Sequence, residues 1–265
     1  MGYYTTKKIY SWLYAIYDPG DVYVYVILGD DAAVAYDTGY GMAPIMPVIR
    51  EITDLPLTCV LGHGHVDHAN GAYQFNEAWI YEEDMELCRR HTSRTAKRIA
   101  IDMVKEKGAE LPKGFDEETY INSGICELKK MDIGQVFEIG GKTLEVVKME
   151  GHTRGSVGLL VREERVLITS DAANPQLWLF LEESTSISTY ITMLERNINL
   201  DFDIFFIGHD HKPYEKKDWF KRFIEVAKNA NVAQAVPFKR IPERKGMMYT
   251  EGDAAIIFSE DKLHM

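Results

Sequence analysis

The chain has 265 residues, 46% hydrophobic and 27% charged, which suits one sizeable soluble α/β domain, with or without an insertion, whose core needs no disulfides. Its formal net charge of −11 disfavours general nucleic-acid binding, because an acidic surface repels phosphate backbones. No apolar run approaches the ~20 residues that span a bilayer, so a membrane protein is not expected.

At the N-terminus no apolar stretch is followed by a small-residue cleavage site, although Gly2 and Thr6 match a loose lipidation pattern. Residues 22–28 and 32–36 are strand-like and flank a Gly29-Asp30-Asp31 hairpin turn, after which Asp37-Thr38-Gly39 ends the second strand. The apolar run 57–61 reads as a buried strand that stops at Gly62. Between 82 and 107 the spacing of Leu87, Arg90, Arg94, Lys97 and Ile101 predicts a helix, and 108–125 is loop-rich. Strands resume at 136–139 and 143–149 around a Gly140-Gly141 turn, then at 157–161 and 165–170. A helix at 186–198, a buried strand at 202–208, an amphipathic helix at 213–229 and a late strand at 253–259 complete the pattern. The strands thus form two groups, 22–61 and 136–208, which suggests two sheets meeting at an edge where loops converge. Cys59, Cys88 and Cys126 are odd in number, fit no metal knuckle and read as reduced thiols, which favours the cytoplasm.

Chemistry is concentrated at strand ends. In His63-Gly64-His65-Val66-Asp67-His68, residues two apart on an extended segment point the same way, so His63 and His65 can grip one metal. A tight turn can then send Asp67 and His68 towards a second ion. His152, Asp171 and His209 each follow an apolar strand, where a buried carboxylate or imidazole is costly unless paired or metal-bound.

Asp37-Thr38-Gly39, the HxHxDH run, Gly151-His152-Thr153-Arg154-Gly155-Ser156, Ser170-Asp171 and Gly208-His209 resemble, in order, the five motifs of the metallo-β-lactamase fold superfamily. The resemblance spans about residues 20–210 and implies an αββα sandwich of two mixed sheets flanked by helices, with the metals at one edge. It further implies that His63, His65 and His152 bind one metal, that Asp67, His68 and His209 bind the other, and that Asp171 bridges them. The full ligand set looks most like glyoxalase II and its relatives. Two divalent ions are expected, zinc first, with iron or manganese as alternatives. A bridging hydroxide would attack a small ester, thioester, lactone or related carbonyl substrate, with Asp67 helping the proton transfer. The alternatives are a di-iron oxidoreductase working with a separate electron carrier, and a metal-dependent binding protein without catalysis.

Asp37 is expected to orient a ligand, or else simply to form a turn. His91, His211 and His264 are expected at the solvated surface. Asn174, Leu177, Trp178 and Phe180 are candidate pocket wall. The helical stretch 82–125 is expected to cover the metal edge, and its basic run, with Arg90, Arg94 and Lys97 on one helix face, to draw in an anionic substrate. The bland alternative is an ordinary solvated basic face.

Overall fold

The computed structural model describes residues 2–239 and 244–263. Its first sheet contains β1 (Thr5–Lys8), β2 (Leu13–Asp18), β3 (Val22–Leu28), β4 (Ala33–Tyr36), β5 (Leu57–Val60), β6 (Glu77–Tyr81) and β7 (Glu127–Met131), in that spatial order. The pairs up to β3–β4 are antiparallel and those from β4–β5 onwards parallel. The second sheet holds β8 (Val136–Glu138), β9 (Thr143–Lys148), β10 (Val157–Val161), β11 (Val166–Ile168), β13 (Ile204–Ile207) and β14 (Asp210–Glu215). Its spatial order is β14-β13-β11-β10-β9-β8. A third, smaller sheet that the sequence pattern did not suggest joins β12 (Gln176–Leu179), β17 (Ala254–Phe258), β16 (Gly246–Glu251) and β15 (Val236–Phe238).

Period-two alternation decides which side chains meet. Tyr25 and Ile27 of β3 pack between the first two sheets against Leu159, Val161 and Phe206, whereas Val24 and Val26 face outward onto α1 (Met46–Ile52). In the second sheet Leu160, Leu167 and Phe205 turn the other way. They pack under α6 (Ile187–Asn197), α7 (Lys216–Asn229) and the third sheet. Helix, sheet, sheet and helix layers follow: an αββα sandwich.

Several element expectations change. The helix expected over 82–107 is two helices, α3 (Glu82–His91) and α4 (Arg94–Glu106). Thr92 and Ser93 break it, because the Ser93 side chain caps α4 by accepting from the Ala96 N–H. The loop-rich stretch contains α5 (Glu117–Asn122), capped by Asp116. The helix expected from 213 starts at Lys216, residues 210–215 being drawn into β14. No disulfide joins the three cysteines, and Cys59 is buried. No helix among the described residues is long and apolar enough to cross a membrane.

Candidate metal centre

Four of the seven residues singled out lie just beyond β5. His63 and His65 occupy the extended segment leading into α2 (Val66–Ala69), of which His65 is the N-cap, and Asp67 and His68 sit in its first turn. The other three come from the second sheet: His152 between β9 and β10, Asp171 after β11, and His209 between β13 and β14. Close packing dictates the neighbours too. A Cβ at Gly208 would lie 2.6 Å from the His68 ring and 2.7 Å from Asp171 Oδ1, so only glycine fits before His209. Asp37 and Ser170 both adopt left-handed backbone, with φ of 63° and 49°, at the ends of β4 and β11. Their side chains meet there, the Ser170 hydroxyl donating to Asp37 Oδ2 at 2.7 Å.

The hydrogen bonds of the five histidines assign their tautomers, and each leaves one ring nitrogen facing a common centre. His68 Nδ1 donates to Asp37 Oδ2 at 2.8 Å. His65 Nε2 donates to Glu183 Oε1 at 2.8 Å. His152 Nδ1 donates to the Trp178 carbonyl at 3.0 Å, and His209 Nδ1 to that of Asp21. His63 Nδ1 lies 3.1 Å from the Ser170 hydroxyl, which accepts from it. The inward nitrogens then crowd together: His65 Nδ1 is 3.1 Å from His63 Nε2 and 2.8 Å from His152 Nε2. Asp171 Oδ2 lies 3.2 Å from His209 Nε2 and 3.6 Å from His152 Nε2, and Asp171 Oδ1 lies 3.5 Å from His68 Nε2. Asp67 Oδ2 stands 3.7 Å from His209 Nε2 and 3.9 Å from His68 Nε2.

This arrangement fits cations. The sets His63/His65/His152, His63/His68/Asp171 and Asp67/His68/His209 each bring ligand atoms within 4.8 Å of one another. His68 Nε2 and Asp171 Oδ1 are buried without a hydrogen-bond partner, an arrangement that is costly unless a ligand binds there. Burial, reinforced by neighbouring imidazoles, holds His63 well below the usual histidine range, and burial with His65 lowers His152 to about 4. Both are therefore neutral, with lone pairs available. Burial would lower His68 as well, but Asp171, Asp67 and Asp37 outweigh it and raise its pKa, so positive charge is favoured at that spot. Burial likewise opposes ionisation of Asp171, but His209 and His68 hold it well below the usual carboxylate range.

A cavity of about 430 Å³ opens over the cluster. Asp67, His65, His152, Asp171 and His209 line its floor, and α3 and α4 contribute one wall through His91, Ala96, Ile99 and Met103. Asp37 lies beneath it, buried, its Oδ1 accepting from the Gly62 N–H at 2.7 Å. Of the candidate wall residues, Asn174 and Trp178 line the cavity, whereas Leu177 and Phe180 belong to the core.

The basic face requires correction. Arg90 and Arg94 are exposed on different helices, and neither lines the cavity. Lys97 is fully buried, its Nζ bonded to the Ser123 hydroxyl and lying 4.5 Å and 5.0 Å from the Tyr73 and Tyr120 ring centroids. It is a packed cation over two aromatic faces, out of reach of a substrate. His91 is also not solvated surface. Its ring stacks on His65 at 5.0 Å, and burial with His65 nearby lowers its pKa to about 4. His211 is half-buried against Tyr23 and Lys7, and His264 lies outside the described residues.

Sequence reasoning missed two carboxylates. Glu183 follows the third-sheet strand β12 and carried no local signal. Asp84 did carry one, as an acid on the buried stripe of α3 with Leu87 and Cys88. It accepts from the N–H groups of Gly64 and Gly155, each at 2.9 Å, and from the Thr153 hydroxyl at 2.7 Å.

The sequence profile of the Metallo-beta-lactamase superfamily matches residues 17–209. The acyl-coenzyme A thioesterase MBLAC2 of Homo sapiens is 24% identical over 190 residues, 67% of either chain. The hydroxyacylglutathione hydrolase GloC of Haemophilus influenzae is 26% identical over 133 residues, 47% of this chain and 54% of its own. Among solved structures, a metallo-beta-lactamase from Pontibacter korlensis superposes with a TM-score of 0.58 at 16% identity, covering 86% of this chain and all of the other. The inverting sec-alkylsulfatase Pisa1 from Pseudomonas sp. gives a TM-score of 0.61 at 15% identity, covering 85% of this chain and 41% of its own. These two likenesses establish the fold.

Proposed function

Because the chain belongs to the metallo-beta-lactamase superfamily, we propose that it is a hydrolase that holds two divalent cations, zinc first, and cleaves a thioester or a related carbonyl substrate. One observation carries the reading: five imidazoles, each with one nitrogen engaged from outside, turn the other inward, where Asp67 and Asp171 stand among them. The acyl-coenzyme A thioesterase among the relatives supports the thioester class.

His63, His65 and His152 would hold one cation, Asp67, His68 and His209 the other, and Asp171 both. When bound, the cations supply Lewis acidity, polarising the scissile carbonyl and bringing the pKa of water down to about 7. Asp67, on the cavity floor, accepts a hydrogen bond from the attacking water and takes its proton as the oxygen–carbon bond forms. The bond from carbon to the leaving sulfur or oxygen then breaks, and the proton passes to the leaving group. Asp37 acts through His68 and Glu183 through His65, each keeping an imidazole in the tautomer that points its lone pair inward. No serine or cysteine among the described residues lines the cavity, which favours direct attack by water over a covalent acyl-enzyme.

The test is elemental analysis of protein purified without chelator, followed by thioester, lactone, β-lactam and phosphodiester assays. About two ions per chain and thioester turnover are expected, and Asp171→Ala should lose metal and turnover together. Metal-free protein as purified, or turnover that survives complete chelation, refutes the reading.

A further inference from the structure

α4 carries two apolar stripes, and folding explains only one. Ala100, Ile101 and Val104 are buried, with Lys97, in a cluster with Val22, Tyr40 and Tyr120. Ala96, Ile99 and Met103, at i, i+3 and i+7, form a second stripe along the cavity. At 3.6 residues per turn, Arg94 and Arg98 fall on roughly the opposite side of the helix from that stripe. Ile99 is 53% exposed and, of the large apolar residues exposed among the described ones, the one that lines the cavity. Trp178 of β12 and Leu181 add apolar lining from outside α4. Polar side chains outside the cluster, Asp21, Lys107, Asn174, Gln176 and Arg244, line the cavity as well. An isolated exposed isoleucine needs no explanation. A cavity with apolar lining from separate elements and a few convergent polar groups is the anatomy of a ligand site.

We propose that the substrate carries a linear aliphatic chain, which lies between the α4 stripe and Trp178 with its reacting carbonyl at the floor. This rests on the hydrolase reading and adds to it the part of the substrate that is recognised. Chain length is then one property that the cavity selects. Each methylene moved from water onto these walls tightens binding by about fourfold.

The test measures binding apart from turnover. Calorimetric titration of the metal-loaded protein with butyrate, hexanoate, octanoate and decanoate keeps the carboxylate head constant, so the slope of affinity against length reports the chain alone. A gain of about fourfold per methylene is expected through at least part of the series. Ile99→Asp, at an exposed position, and Ala96→Asp as a second variant should reduce it to less than about twofold. A flat series in the unmodified protein overturns the proposal, and so does an unchanged slope in both folded variants. Two thioester series, one varying the acyl group over a fixed thiol and one varying the thiol over a fixed acetyl, then show by kcat/KM which side bears the chain. A protein that binds long alkanoates with the expected slope but hydrolyses no thioester refutes the hydrolase and leaves the chain site standing. One that hydrolyses thioesters with no slope in any series does the reverse.

Discussion

Asp84 ties together the two loops that carry His63, His65 and His152. Its oxygens take the N–H of Gly64, between two of those histidines, and the Gly155 N–H and Thr153 hydroxyl beside the third. Hydrogen bonds to a charged group contribute about 1.5–3 kcal/mol each, and a buried N–H left without a partner costs about 1–3 kcal/mol. Asp84→Ala should therefore destabilise the fold by at least about 3 kcal/mol in urea titrations. If the histidines ligate metal as proposed, Asp84 positions them without being a ligand, and the variant should also weaken metal binding by about 10- to 100-fold in a chelator competition. Lost stability with unchanged metal affinity would reduce Asp84 to a packing residue. At the same scale, Glu183→Gln should keep the fold and loosen His65. A Gln oxygen can still accept from Nε2 but without full charge, so metal affinity should fall less than in Glu183→Ala.

At the scale of the element, the break between α3 and α4 decides what the basic run can do. A continuous helix would present Arg90, Arg94 and Lys97 together, but the Ser93 cap starts a new helix in which Lys97 turns into the Tyr73–Tyr120 pair. Burial pushes the Lys97 ammonium down to about 8, below its unfolded value of about 10.4. Below pH 8 both states are protonated, and the folded state bears the whole cost of the buried charge. Between about 8 and 10.4 the unfolded chain binds more protons, so this residue's contribution to stability rises with pH. Compared with Lys97→Met, the unmodified protein should gain about 1–3 kcal/mol between pH 7 and 10 in parallel urea titrations. A difference that stays constant with pH would mean that Lys97 reaches solvent.

For the whole molecule, the cluster sits where the two large sheets meet, four residues following the first sheet and three the second. Cations bound there would cross-link the layers and stabilise the fold by linkage. At a thousandfold excess over Kd that contribution is about 4 kcal/mol, or roughly 10 °C in Tm for a chain of this size. Scanning calorimetry with and without chelator should show a drop of that order, reversed by adding zinc. An unchanged Tm in protein verified as metal-free would place the cations, if any, outside this edge.

Residue type and short spacing made the seven clustered residues legible, because HxHxDH and the strand-end His and Asp carry their chemistry in the side chains themselves, and the family and the sandwich followed from what those motifs resemble. The alternating apolar runs likewise revealed the central strands, whose burial is written in their composition. Edge elements were not legible. β1 is the fully exposed TTKK, and β14 is the polar DHKPYE with Pro213, so it is pairing with β2 and β13 that makes them strands. The third sheet escaped for the same reason, since its partners β12 and β17 are far apart in sequence and meet only in the fold. Tertiary structure alone decided that Lys97 is core, that Asp84 and Glu183 reach the loops that carry His63, His65 and His152, and that Ile99 faces a cavity. Helical periodicity says which residues share a face, whereas the environment of that face depends on what the rest of the chain packs against it.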